Sequence, residues 1–362
     1  MKAAVCYEFG KPLVVEDVVL DPPQKGEVGV RTAATAVCHS DIHVIRGEGG
    51  TGDLPIVVGH EAAGIVEEIG EGVTLTKPGD RVVVSLLRAC GRCFFCTTGS
   101  PHLCEGQFAL NSESRLHALG GELIHRGIRT AAFAEECIVD QSQVVPVPED
   151  MPLDRASLLA CGVITGLGAV VNTAQVEPSS SVVVIGIGGV GLNAIQGAAL
   201  SGGYPIIAVD LLDNKLATAR TFGATHTVNA AEQEAPEETV KALTSGRGAD
   251  YVFVTVGSKA AVTQAFSLAR RQGCVVIVGL PGHGVEVSFP VNQFVMDEQQ
   301  IISSFMGSTR LSVGIPRLVD LYQHGRLKLD ELITARYPLE QINEAIEAVE
   351  NGQALRNVIV FE

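Results

Sequence analysis

Basic residues are scarce in this 362-residue chain, which carries 26 Lys and Arg against 41 Asp and Glu for a formal charge of −15. Proteins that grip nucleic acid draw their affinity from clustered Lys and Arg, so no nucleic-acid partner is expected. Long apolar runs are also missing. The best candidate, "SVVVIGIGGVGL", is broken by glycines and falls well short of the roughly 18 residues needed to cross a bilayer, so no membrane span is expected. The N-terminal stretch "MKAAVCYEFGKPLVVEDVVL" lacks the continuous apolar segment of a signal peptide. Nine cysteines, an odd number thinly spread, do not make a disulfide scaffold. These absences point to a soluble protein of a reducing, cytoplasmic compartment. No internal repeat or low-complexity segment is visible.

What is present suggests a two-domain α/β protein: the chain is too long for one ordinary core, and 46% of it is apolar with 40 glycines. From about residue 1 to 150, short β-branched runs such as "LVVEDV", "EVGVRTAATAV" and "AAGIVEEIG" alternate with turns, which reads as a mostly-β region. After "PVPEDMPLDRASLLAC" the texture changes. Continuous apolar strands ("SVVVIG", "PIIAVD", "HTVN", "ADYVFVTVG", "GCVVIVG") alternate with helices predicted through "NAIQGAALSGG", "NKLATARTFG" and "AAVTQAFSLARR". That alternation predicts a doubly wound parallel sheet covered on both faces. From about residue 305 a mixed pattern returns, so the C-terminus is expected to complete the first domain.

The string Gly186-Ile187-Gly188-Gly189-Val190-Gly191 follows a strand and opens a helix with the spacing G-x-G-x-x-G. Such glycines permit a tight turn, close approach of backbone to a pyrophosphate, and close packing of helix on strand. Asp210 ends the next strand, where an acid binds both hydroxyls of an adenosine ribose and repels a 2′-phosphate. The bland alternative is an acid that caps the helix beginning near Asp213. The placement favours NAD over NADP.

Two sets of metal-ligand residues stand out. "CGRCFFCTTGSPHLC" holds Cys90, Cys93, Cys96 and Cys104 in the pattern C-x2-C-x2-C-x7-C. Taken alone it fits a disulfide staple, an iron–sulfur set, a structural zinc or a reactive centre. A ferredoxin-type run fits poorly, because the fourth cysteine comes after seven residues rather than three and is followed by Glu105 rather than proline. The second set is scattered: Cys38 in "AVCHSDIH", His60 in "VVGHEAAG" and Cys161 in "LLACGVITGLG". Two thiolates and an imidazole leave a zinc ion one open position, suited to polarising an alcohol oxygen. Asp41 is placed to hold the His60 imidazole, Ser40 offers a hydroxyl beside Cys38, and Glu61 adds a carboxylate at the metal.

The strings "CHSDIH", "GHEAAGIVEEIGEGVT", "KPGDRVVV", "CGRCFFCTTGSPHLC", "ACGVITGLGA" and "GIGGVGLNAIQGA" together resemble the zinc-dependent alcohol dehydrogenases of the medium-chain dehydrogenase/reductase superfamily. The likeness runs over essentially the whole chain. It implies a GroES-like β-rich catalytic domain over residues 1–162, completed by about 305–362, and a Rossmann domain over 163–304. It implies two zinc ions per chain, a catalytic one on Cys38, His60 and Cys161 with Glu61 beside it, and a structural one on Cys90, Cys93, Cys96 and Cys104. Cys6, Cys137 and Cys274 are then ordinary buried thiols. Ser40 and His43 become the proton relay and Asp41 the partner of His60. NAD contacts are implied for Gly186, Gly188, Gly189, Val190, Gly191, Asp210, Lys215 and Thr165, with Arg356 at the pyrophosphate. His39 stands where many relatives carry an arginine, a substitution expected to weaken NAD binding and speed product release. A homodimer or homotetramer acting on a small alcohol, aldehyde or ketone is implied.

Keeping both the four-cysteine cluster and Cys161 sets the chain apart from polyol dehydrogenases. The loop "RGEGGTGDLP" and the residues "EGQFAL" after Cys104 lack the acids and arginine of the glutathione-dependent formaldehyde branch. Ser40 in place of a bulkier threonine, with Leu86 and Leu87 ahead of the zinc lobe, suggests a broad apolar pocket. The alternatives are a carbonyl reductase or formaldehyde-type dehydrogenase of the same superfamily and, from another class, a non-enzymatic NAD-binding protein.

Overall fold

The computed structural model describes every residue except 49–52, 234, 283 and 362. The middle of the loop "RGEGGTGDLP" therefore lies outside the described residues. Contacts divide the chain into two units, Met1–Cys161 with Arg310–Glu362, and Gly162–Thr309.

The first unit combines a closed barrel with a second sheet. The barrel runs through Lys2–Cys6, Val14–Leu20, Leu116–Ala118, Leu123–Arg126 and Ile56–Val57. The sheet is built on the long strand Glu27–Ala36, buried along its length except at Arg31 and in part at Ala33, and on its antiparallel neighbour Glu61–Ile69. On its other side Glu27–Ala36 takes the C-terminal strand Arg356–Val360 in antiparallel register, with Val358 opposite Ala36. The C-terminus thereby closes the unit begun by the N-terminus. The barrel core gathers Val5, Val57, Ile124 and Phe133 with Ile342 and Ile346 of the helix Ile342–Glu350.

The second unit holds six parallel strands in the order His226–Asn229, Ile206–Asp210, Val182–Ile185, Ala249–Val254, Ala269–Ile277, Gln300–Ser303. The order reverses between Val182–Ile185 and Ala249–Val254. Ligands of such sheets bind outside the carboxyl ends of the strands at that reversal. All four side chains of "VVVI" in the central strand are buried, as expected for a strand covered on both faces.

Several elements differ from expectation. The helix predicted through "AAVTQAFSLARR" ends at Leu268, and Ala269 already belongs to the next strand. There Arg270 is held by Asp250 at 2.6 Å, a long-range pairing that overrides local helix preference. The short strand Gln300–Ser303 was not anticipated, because at the sheet edge its residues are mostly exposed and show no apolar alternation. One helical stretch, Leu153–Ala174, proves long and apolar enough to span a bilayer, with a mean hydropathy of 1.6 in its most apolar window, and Asp154 and Arg155 stand at its start. Its apolar window is 83% buried within the protein, which makes it a core element.

Candidate active site and metal centres

The helix His39–Ile45 starts directly after Cys38, whose extended backbone caps it two residues beyond the strand Glu27–Ala36. Asp41, in the first turn, accepts from the Cys38 backbone N–H at 3.3 Å. Its other oxygen accepts from Gly59 N at 2.9 Å and faces Nδ1 of His60 at 2.9 Å, with both side chains fully buried. A carboxylate can only accept, so His60 keeps a proton on Nδ1, and Nε2 is the nitrogen left for a metal to take in place of a second proton. Nε2 of His60 and Oε1 of Glu61 are both buried without a hydrogen-bond partner. Orphaned buried atoms of this kind call for an ion.

Ligand atoms of Cys38, His60, Glu61 and Cys161 lie within 4.8 Å of one another, all four residues buried. Cys161 belongs to a π-helical turn, Leu159–Val163, beside Ala160, whose carbonyl accepts from Ser85 Oγ at 2.7 Å. Electrostatics show how crowded the group is. The Cys38 thiol is pulled well below its ordinary range by Cys161, against burial and with help from His60, while Cys161 is pushed well above it by Cys38 and burial. Burial raises Glu61 to about 7 despite Arg356. Burial opposes charge on His60 as well, yet Asp41 and Cys38 hold its imidazolium well above the usual range. A soft divalent cation relieves all of these tensions at once, and two sulfurs with one imidazole suit zinc.

The four-cysteine lobe has a different character. Its thiols lie within 4.8 Å of one another and are half-buried. Sγ of Cys93 and Cys104 are 3.8 Å apart, the edge of a tetrahedron whose metal–sulfur bonds are about 2.3 Å. Backbone N–H groups point at the sulfurs, from Cys90 and Gly106 to Cys104 and from Cys93 to Cys90, at 3.2–3.3 Å. N–H groups of Cys96 and Glu105 draw the Cys93 thiol down to about 6. Four thiolates leave no open position. Cys6, Cys137 and Cys274 are buried free thiols away from both sets.

Ser40 and His43, three residues apart on the same helix, are both partly exposed while Asp41, Ile42 and Ile45 face the core. Nδ1 of His43 lies 2.6 Å from Oε2 of Glu48, a partner the sequence reading missed. His39 is exposed at the start of the helix. Arg356, expected at a pyrophosphate, is buried and paired with Glu61. That pairing spans 295 residues, and no local signal announces it.

In the second unit the glycine-rich turn lies at the carboxyl end of Val182–Ile185 and the helix Gly189–Leu200 follows at once. Gly186 has φ +91°, and a Cβ there would collide with Val256. A Cβ on Gly188 would meet nothing, which leaves its backbone open to a ligand, and no side chain caps the helix that starts there. Its first N–H groups suit a pyrophosphate. Asp210 does not cap the next helix, whose N-cap is Leu212. Its carboxylate instead accepts from Ile187 N at 2.6 Å and from Leu211 and Leu212 N at 2.8 and 3.1 Å. Lys215 is half-buried on the helix Asp213–Thr221. Thr165 is buried, its Oγ1 3.6 Å from Met306 Sδ, and its neighbour Gly166 packs against Val190 O.

Comparison with known proteins gives the family. Residues 24–149 match the alcohol dehydrogenase GroES-like domain and residues 189–323 the zinc-binding dehydrogenase domain. The chain is 39% identical to an alcohol dehydrogenase class-3 of Pisum sativum, over 99% of this chain and 97% of that protein. It is also 39% identical to an NDMA-dependent alcohol dehydrogenase of Amycolatopsis methanolica, over 99% of this chain and 98% of that one. Its fold matches the crystal structure of benzyl alcohol dehydrogenase from Acinetobacter calcoaceticus with a TM-score of 0.93 at 32% identity, covering 100% and 99% of the two chains. The donor sets fit zinc, the glycine-rich turn fits a dinucleotide, and the chain belongs to the zinc-dependent alcohol dehydrogenases of the medium-chain dehydrogenase/reductase superfamily, NAD-linked oxidoreductases that interconvert alcohols with aldehydes or ketones.

Proposed function

We propose that Cys38, His60 and Cys161 hold a catalytic zinc with Glu61 beside it, and that Cys90, Cys93, Cys96 and Cys104 hold a structural one. The observation that carries this is the buried His60 Nε2, orphaned and held in its ligand tautomer by Asp41, within reach of two thiols. The overall reaction is alcohol plus NAD⁺ giving carbonyl, NADH and a proton. When bound, the zinc acts as a Lewis acid toward the alcohol oxygen, and NAD accepts the hydride.

The chain's own residues do the rest. Ser40 takes the hydroxyl proton and His43 passes it to solvent, a reading supported by their shared face on one helix and their partial exposure. Asp41 orients His60, and Arg356 keeps Glu61 paired. The Gly186–Gly191 turn with Thr165 and Lys215 cradles NAD, Asp210 selects the ribose hydroxyls, and Arg356 and His39 complete the cofactor contacts. Half-buried Leu86 and buried Leu87 support an apolar pocket that admits medium-chain or aromatic alcohols. The domains we propose are residues 1–162, completed by about 305–362, and residues 163–304, a reading supported by the division of contacts into two units.

A homodimer or homotetramer is supported by apolar surface on the second unit. Ile301 of the edge strand is 44% exposed and Val291, Val295 and Met296 of the helix Val291–Met296 are 64–71% exposed. The setting we propose is the cytoplasm. Zinc analysis together with a panel of alcohols and carbonyl compounds, assayed with NAD(H) and NADP(H), tests the reading. Two zinc ions per chain and alcohol-dependent NADH formation are expected. A protein that reduces carbonyl compounds but oxidises no alcohol, or that turns over neither, would overturn it.

A further inference from the structure

We infer that Glu48 is a positioning residue for proton exit: it fixes which nitrogen of His43 carries the proton. The inference rests on the relay reading of Ser40 and His43. The helix His39–Ile45 ends in a motif that folds the chain back on itself. Gly47 N bonds to Val44 O at 2.9 Å and Glu48 N to His43 O at 2.8 Å, the two-bond Schellman pattern. The turn needs glycine at position 47, where φ is +76° and an added Cβ would lie 3.2 Å from the Phe9 side chain. The motif thus returns Glu48 over His43 and sets Oε2 2.6 Å from Nδ1.

The chemistry follows from that contact. Glu48 only accepts, so Nδ1 keeps its proton and Nε2 is left as the basic nitrogen. A proton arriving by way of Ser40 can land on Nε2 without a prior change of tautomer. The imidazolium so formed then releases a proton to water, and its 42% side-chain exposure gives it access. Other charges near His43 are engaged elsewhere: Arg46 pairs with Glu350 of the helix Ile342–Glu350 at 2.7 Å. His39 lies one turn earlier on the same helix, and Arg129 on the adjacent turn Gly127–Arg129 is exposed.

The test uses the full chain labelled with 15N-histidine, with His43→Gln to assign the His43 signals. In the parent, neutral His43 should show the Nδ1–H form. Glu48→Ala should move it toward the Nε2–H form and lower alcohol turnover by about tenfold while leaving KM nearly unchanged. Glu48→Gln, whose amide can present either its carbonyl or its NH2 to the ring, should hold the Nδ1–H form only in part and give a rate between those of the parent and Glu48→Ala. If His43→Gln is slow while Glu48→Ala keeps both tautomer and turnover, Glu48 has no such role and the relay stands. Full turnover in His43→Gln would remove the relay and this inference with it.

Discussion

Asp41 Oδ1 lies 2.9 Å from Nδ1 of His60, 19 residues away in sequence, and neither side chain is exposed to solvent. Asp41 also binds the Gly59 and Cys38 backbone N–H groups, so one carboxylate fixes two of the three residues proposed to bind the catalytic zinc. Buried ion pairs are poor general stabilisers, because desolvation offsets much of the attraction. The pair is better explained as a device for orienting a ligand.

Asp41→Asn tests that explanation. An amide can present either its oxygen or its NH2 to His60, so the ring is no longer held with Nε2 free. Metal affinity should fall roughly 10- to 100-fold. Zinc retained against a graded series of chelator concentrations measures this directly, and parent-like retention would show that His60 needs no orienting partner.

The metal-ligand residues were legible in sequence because they stand in short strings of chemically distinctive types, and the glycine-rich turn because its spacing is local. What escaped was long-range. Arg356 reads in sequence as a cofactor contact, and nothing local announces that its strand pairs with Glu27–Ala36 and brings the guanidinium to Glu61. The His43–Glu48 contact escaped for another reason: it depends on a turn geometry that Gly47 makes possible but does not by itself announce. The long apolar helix Leu153–Ala174 also escaped the sequence reading, and the charged pair Asp154 and Arg155 stands in its first turn. Asp154 is held low in pKa, against burial, by Arg155 and Arg336, so these charges are accommodated where the helix begins.

Ser40→Ala should lower turnover by roughly a hundredfold while zinc content and NADH binding stay intact, because only a hydroxyl in the proton path is removed. Steady-state assays with zinc analysis and NADH fluorescence check this. Unchanged turnover would mean that water carries the proton.

Asp210→Ser should narrow the preference for NAD over NADP by removing the charge that repels a 2′-phosphate. The structure adds a second consequence. Asp210 also holds Ile187 N at 2.6 Å, so the glycine-rich turn loses an anchor. Affinity for NAD should therefore fall by more than affinity for NADP rises. Titration of both cofactors measures the two changes separately, and an unmutated enzyme that already prefers NADP would refute the reading.

Two ligand deletions should fail in different ways, because one donor set is buried and mixed while the other is a closed set of thiols on a half-buried lobe. Cys161→Ala removes a sulfur from the buried set. Activity should be abolished, yet the protein should stay folded and bind NADH, since the six-stranded sheet and its glycine-rich turn take nothing from that ion. Cys104→Ala removes the sulfur that accepts from both Cys90 N and Gly106 N and lies 3.8 Å from Cys93 Sγ. A closed zinc site contributes folding energy to its own loop, so the segment from Cys90 to Cys104 should loosen. The loosening reaches further, because Arg310 Nε donates to Gly99 O at 2.8 Å and ties this lobe to the start of the C-terminal segment. Activity of Cys104→Ala should therefore begin near the parent value and decay with time or heat. Zinc content, NADH fluorescence and thermal melts on the two variants decide between the roles. Immediate loss of turnover in a Cys104→Ala protein as heat-stable as the parent, beside an active Cys161→Ala, would reverse the assignment of the two sites.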